Sequence, residues 1–399
     1  MAFFRNDTVN WLNLHYAIHA LALSGGEAFL ASFLLSAGVP ASAVLAAIAA
    51  IFATRFVIRA LVLPLARRFG LRAVVVAGTL VSAAQYPVLA IVHGVGGPLV
   101  ALCLIAAVGD SLYWTAYHAY FAALGDNEHR GHQIGAREAA ATLFAIMGPL
   151  ATGWALTALG PRVAFGATAL LMAVGALPLL RTPDVAVARR APGAFRAALP
   201  GVLIYAADGW AAAGFYYVWQ IALFQSLGER FAAYGGAMAL AALAGAVSGL
   251  ALGRWIDRGH GPRAVWLGVG AIAAGIAFRA LGAGHPVLAV VANAAGAVAV
   301  ALYVPTVMTA VYNQAKAAPC VLRFHLAAEG GFDIGCAGGC LAAAAVLWVR
   351  LPLALAILPG LLGVAAMAVL LRHAYGDTSQ ADVSKAIASK RDAVGLGTF

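Results

Sequence analysis

Apolar residues in this chain come in blocks of roughly twenty or more, twelve in succession, divided by short charged or Pro- and Gly-containing breaks. A helix needs about 20 such residues to cross ~30 Å of hydrocarbon. It is also the structure that satisfies its own backbone polar groups in lipid. The blocks predict membrane spans at 11–36, 41–64, 72–93, 98–122, 134–158, 162–180, 199–226, 231–254, 263–282, 286–312, 325–348 and 352–371. The alternating ten-residue pattern of a membrane β-barrel is absent. Composition agrees: 63% of residues are hydrophobic and 10% charged, against roughly 45–50% and about 25% in soluble domains. The expected fold class is an all-α membrane protein of 12 transmembrane helices.

The net charge of +10 invites a polyanionic partner, but its placement argues otherwise. With the amino terminus inside, the outer connections carry only Arg162, Arg230 and Arg350, and Arg55, Arg59 and Arg279 lie within spans. The other 19 of the 25 Lys and Arg fall on the cytoplasmic side. This is the positive-inside pattern. It predicts cytoplasmic termini and a lipid bilayer as the partner, with no nucleic acid. Lys is scarce among the basic residues and Ala and Gly are abundant, which suggests a bacterial inner-membrane protein. Cys103, Cys320, Cys336 and Cys340 lie in or beside apolar spans and do not form a disulfide framework.

The chain repeats itself at a shift of about 190 residues. Ser36-Ala37-Gly38 leaves span one as Ser226-Leu227-Gly228 leaves span seven, and Leu112-Tyr113 recurs as Leu302-Tyr303. Arg67-Arg68 stands where Asp257-Arg258 follows span eight, and Ala136 and Glu138 match Ala327 and Glu329. The order argues for a six-plus-six duplication. The expected organisation is a six-helix bundle over 1–180, a cytoplasmic linker over 181–198, a second bundle over 199–373 and a cytoplasmic tail over 374–399.

In these features the whole chain resembles the major facilitator superfamily, whose signature Gly-x-x-x-Asp-Arg-x-Gly-Arg-Arg follows helix two and is often echoed after helix eight. The echo is the better copy here, running from Gly253 through Asp257-Arg258 to Arg263. The first copy, Leu63 to Arg72, has Arg67 where the Asp belongs. Gly148-Pro149 in span five is similar to an element common in that family's exporters. The resemblance implies two six-helix bundles related by a pseudo-two-fold. Helices one, four, seven and ten would line a central cavity, with two, five, eight and eleven between the halves.

Charges inside the spans fit that plan. Acids occur at Glu27, Asp110, Asp208, Glu329 and Asp333, and deep Arg at Arg55 and Arg59, all on expected cavity or interface helices. A charge at the bilayer centre costs roughly 2.5–3.5 kcal/mol on insertion scales, so these groups are expected to be paired, neutralised or hydrated. Glu27, Asp110 and Arg55 fall near the midplane, and Asp208 sits nearer the cytoplasm. A carboxyl that gains and loses a proton as an Arg partner comes and goes is a proton-coupling element, and these four residues are the candidates. Arg279 lies close enough to the end of span nine to snorkel.

Tyr113, Trp114, Tyr117 and His118 share a face of span four with Asp110. Together with Tyr216, Trp219 and Gln220 of span seven and Tyr303 of span ten, they are the candidate substrate contacts. Aromatic and carboxylate lining suits an amphipathic or cationic organic solute. The resemblance also implies a gate, because the family's Asp after helix two braces the positive amino-terminal end of helix eleven. With Arg67 there instead, Arg59 or Arg67 is expected to pair with Glu329 or Asp333 in a partly buried contact of about 1 kcal/mol. Asp257 and Arg258 are the counterparts after helix eight. Cys336 and Cys340, at i and i+4 beside Asp333, are candidate ligands for a soft metal such as copper(I), and His15 and His19 share that spacing.

No Walker motif and no nucleophile–base set occurs in the sequence, so neither ATP, an enzyme activity nor a cofactor is implied. The reading is a monomeric secondary transporter of a small organic solute, proton-coupled, working by alternating access, with export favoured over import. Its rivals are a metal permease of the same fold and a transporter-like sensor that binds without transport.

Overall fold

In the computed structural model, residues 6–124, 130–187, 190–255 and 261–372 are described, and no strand occurs among them. The first span is bent. Helix α1 (Asp7–Gly26) begins with the Asn6 side chain accepting the Val9 N–H at 3.1 Å, an N-cap that satisfies one free donor. It gives way to a 3₁₀ turn at Glu27–Phe29 and resumes as α2 (Leu30–Ser36). The change comes at Gly25-Gly26, where a side chain on Gly25 would meet Thr152 and one on Gly26 would meet Tyr86.

Spans two to six follow as α3 (Ala41–Phe69), α4 (Leu71–Leu89), α5 (Gly97–Leu124), α6 (Arg130–Ala158) and α7 (Pro161–Gly175), the last with a 3₁₀ turn at Pro178–Arg181. A short α8 (Ala194–Ala197) precedes the seventh span, which is interrupted too: α9 (Leu199–Ala212), a π segment at Ala213–Val218, then α10 (Trp219–Ser226). The remaining spans are α11 (Phe231–Trp255), α12 (Gly261–Gly282), α13 (Pro286–Ala317), α14 (Val321–Trp348) and a last stretch, Leu353–Arg372, that opens with α15 (Leu353–Ile357). Eleven of these stretches are long and apolar enough to cross a membrane. The seventh, Leu199–Ser226, is divided by its π segment. Helices two and ten run past their expected ends, through Pro64 to Phe69 and through Pro305 to Ala317. An apolar block marks the hydrocarbon, and a helix continues beyond it wherever its backbone bonds close.

Within the first half α1 packs on α6 and α7, α4 on α5 and α7, and α3 on α5; in the second, α9 packs on α14, and α13 on α11 and α12. The halves meet where α3 lies on α14 and α6 on α11. Gly148-Pro149 is part of that meeting. A Cβ on Gly235 of α11 would strike the Pro149 carbonyl across the halves, and one on Gly148 would strike Ser24 of α1 within the first half. Small residues admit the close approach that packs helices in lipid.

Candidate functional site

Arg55 and Arg59 are four residues apart on α3, on the face turned toward α5 and α14. Arg55 lies 3.2 Å from Asp110 Oδ2 through Nη1 and 3.2 Å from Asp333 Oδ1 through Nε. Arg59 Nη1 reaches Glu329 Oε2 at 2.5 Å, and Nη2 and Nε reach Asp333 Oδ2 at 2.6 and 2.9 Å. Thr115 Oγ1 accepts from Arg59 and donates to Glu329 at 2.9 Å. One network thus joins the second, fourth and eleventh spans. Arg59 is 2% exposed and Asp333 0%, which corrects the expected partly buried pair. Its energetics are those of a buried cluster. Arg67 is exposed, and no ion pair of it with Glu329 or Asp333 is found among the described residues. Asp257 and Arg258 lie outside the described residues.

A different acid reaches the loop after helix two, at the start of α4 rather than of helix eleven. Asp184, in the segment after α7, accepts the Arg72 N–H at 3.0 Å, while Arg72 Nη1 donates to the Thr182 carbonyl at 2.9 Å and the Leu71 N–H to the Val185 carbonyl at 3.2 Å. The carboxylate sits at the amino-terminal end of α4, where helix dipole and free N–H groups favour an anion. Gly70, at φ 83°, makes this possible, because a side chain there would overlap Asp184. The start of the expected linker is therefore tied to the loop after helix two.

Beside the network, between the halves, is a cavity of about 310 Å³. Glu27, Arg55 and Asp110 stand in its wall with Phe52, Gln85, Tyr216, Tyr217 and Gln220. The break in the first span turns Glu27 into this space, where it is exposed and makes no ion pair or hydrogen bond among the described residues. A second cavity of about 180 Å³ holds Asp208, whose Oδ1 accepts the Tyr303 hydroxyl at 2.6 Å, with Tyr216 shared between the two spaces.

Tyr216, Gln220 and Tyr303 thus face the cavities as expected of contacts. The other five expected contacts do not line either one. Tyr113 and Tyr117 are fully buried, stacked with centroids 5.4 Å apart, and His19 lies 3.8 Å over Tyr113. Trp114 stands edge-on to Tyr113 and stacks on His118, which faces His325. Trp219 is buried with Nε1 donating to Asn293 at 3.0 Å. Tyr113 and Tyr117 face their own half because α1 packs its imidazoles there, while His118 reaches α14.

His15 Nδ1 lies 2.6 Å from the Gly175 carbonyl and Nε2 3.0 Å from the Tyr113 hydroxyl. The carbonyl can only accept, so Nδ1 carries the proton and Nε2 accepts from Tyr113. Asp333, the acid beside Cys336 and Cys340, is committed to the two Arg, and both thiols are 0% exposed. No cluster of three metal-ligating side chains occurs among the described residues.

Sequence reasoning missed Phe52, Gln85 and Tyr217, which carry no pattern, and it misplaced Arg279. That residue is 4% exposed and does not snorkel. Its Nη1 donates to the Phe215 carbonyl inside the π segment, and the guanidinium lies 3.7 Å from the Phe215 ring centroid and 5.3 Å from that of Trp219.

The sequence profile of the Major Facilitator Superfamily matches residues 8–315. The chain belongs to the major facilitator superfamily. No curated protein matches the sequence significantly. Among solved structures, a POT family transporter in complex with 5-aminolevulinic acid is similar at a TM-score of 0.71 and 11% identity, covering 91% of this chain and 94% of that one. The POT family transporter PepTSo has a TM-score of 0.69 and 13% identity, with 94% and 99% covered. A third, in complex with a thioalcohol conjugated peptide, has a TM-score of 0.72 and 10% identity, with 93% and 96% covered. At such identities the likeness is one of fold. As a superfamily member the chain is a multi-pass membrane transporter and not an enzyme.

Proposed function

We propose that this superfamily member is a proton-coupled secondary transporter of a small organic solute, with its cargo site in the cavity between the halves. The observation that carries the reading is the charge balance around that cavity. Arg55 and Arg59 face Asp110, Glu329 and Asp333, and Glu27 stands in the same wall without a partner. With every group ionised, two positive charges would answer four negative ones in a region shielded from bulk water, where uncompensated charge is costly. A proton on a carboxyl reduces the imbalance and connects occupancy of the cavity to proton movement. Glu27 and Asp110 are the coupling acids, Arg55 sets their balance, and Asp208 serves the second cavity.

The halves, 1–180 and 199–373, rock about the α3–α14 and α6–α11 contacts, with both termini in the cytoplasm of a bacterial inner membrane. The Arg59–Glu329–Asp333 cluster is the gate on the amino-terminal side. Proteoliposomes with a pH-sensitive dye inside, screened with organic solutes under an imposed pH gradient, test this. Glu27→Gln and Asp110→Asn should abolish gradient-driven accumulation and leave solute exchange partly intact. If both variants still concentrate a solute against its gradient, the coupling assignment is wrong.

A further inference from the structure

The cargo cavity sorts its charges into committed and uncommitted ones. Arg55 is the cation in its wall, and both Asp110 and Asp333 hold it at 3.2 Å. Asp110 in turn is spoken for by Arg55. Among the described residues Glu27 is the carboxyl facing the space that makes no ion pair or hydrogen bond. A zwitterion or an anion would need a free guanidinium and meets none. A cation meets a carboxylate, and Tyr216 and Tyr217 stand in the same wall, aromatic rings of the kind that attract an organic ammonium, while the Phe52 ring already carries the Arg55 guanidinium at 4.9 Å. About 310 Å³ is at the lower end of small-molecule pockets, roughly 300–1,000 Å³.

We propose that Glu27 receives the head of a monovalent organic cation with an aromatic or aliphatic body, and that this cation and a proton compete for the same carboxylate. The proposal rests on the transporter reading above and adds its substrate class and its mode of coupling. Because Glu27 holds either the proton or the cation, the two pass through the cavity in turn. The coupling is then exchange, and a proton gradient directed inward expels the cation. The 3₁₀ turn at Glu27–Phe29 holds the carboxylate out from the helix wall. The other titratable or charged groups facing it are Arg55 of α3, Tyr86 of α4, Asp110 of α5, Tyr216 and Tyr217 of the π segment, and Tyr234 of α11, whose hydroxyl donates to the Ala28 carbonyl at 3.0 Å. Arg55 and Asp110 are held to each other, so the carboxylate of Glu27 is the group on which cation and proton meet.

Two probes, benzyltrimethylammonium and ethidium, titrated by calorimetry into the purified full chain from pH 5 to pH 9, test the idea. At least one should bind, with affinity falling about tenfold per unit on the acid limb, as one-proton competition requires. Binding in weak buffer should release a proton there. Glu27→Gln should lose tenfold or more in affinity along with the proton release, and Glu27→Asp should retain both in part. Failure of both cations to bind the folded wild type, binding without proton release at every pH, or unchanged binding by Glu27→Gln each overturns the proposal. If the cations fail while a pH gradient still drives another solute into proteoliposomes, the substrate class falls and the transporter reading stands. If cations bind with proton release but no gradient moves them, the transporter reading falls and the site stands.

Discussion

Arg59 meets Asp333 through both Nε and Nη2, at 2.9 and 2.6 Å, and Glu329 at 2.5 Å through Nη1. Burial decides what these contacts are worth. A surface pair contributes little, but removing one partner of a buried pair strands the other and costs about 3–5 kcal/mol. Asp333 is 0% exposed and faces both Arg, whereas Glu329 is 14% exposed and faces Arg59 and Thr115. Asp333→Ala is therefore expected to destabilise the protein more than Glu329→Ala, by a margin visible in thermal unfolding in detergent. Equal melting temperatures for the two variants would mean that Arg59 is already satisfied without Asp333. Arg67, two turns on from Arg59, is exposed, so Arg67→Ala should leave the melt unchanged.

At the scale of elements, the first and seventh spans are both interrupted about 190 residues apart, at Glu27–Phe29 and Ala213–Val218, and both interruptions border the cavities. Irregular helix is tolerated at membrane depth where neighbouring groups satisfy its backbone. In the seventh span that neighbour is Arg279, donating to the Phe215 carbonyl while its guanidinium lies over the ring. Gly296 of α13 leaves room for it, since a Cβ there would collide with the Arg279 guanidinium. Gly296→Ala is expected to cost about 1–3 kcal/mol by overpacking. In an Arg279→Ala background the same substitution should cost almost nothing, because the colliding atoms are gone. A double-mutant cycle on thermal stability measures that coupling. Additive costs would show that Gly296 and Arg279 act independently.

At the scale of the molecule, the positive-inside distribution and an even number of spans predict both termini on one side of the membrane. Reporter domains fused in turn to each terminus are expected to report a cytoplasmic location. Opposite locations for the two would refute the twelve-span topology. The contact plan that the family resemblance implied, with spans two, five, eight and eleven between the halves, is the one found, in α3 on α14 and α6 on α11. It was legible because spans two and eleven carry charges that need partners, Arg55, Arg59, Glu329 and Asp333, while spans five and eight carry Gly153 and Gly235, which admit close backbones.

The span count, the class and the pool of charges within the spans follow from the sequence alone, because lipid penalises every exposed polar group and a chain must write its crossings as apolar runs. Where those runs stop being straight helix is decided by tertiary packing. The seventh span reads as one apolar block, yet Arg279 and Phe215 meet within a π segment. Tyr113, Tyr117, Tyr216 and Tyr303 are alike as letters. Only the positions of α1 and the π segment bury the first pair in their own half and turn the second pair toward the cavities. Asp184 could not be assigned to the start of α4 from spacing, since more than a hundred residues separate it from Arg72 and only the folded chain brings its carboxylate to that helix end.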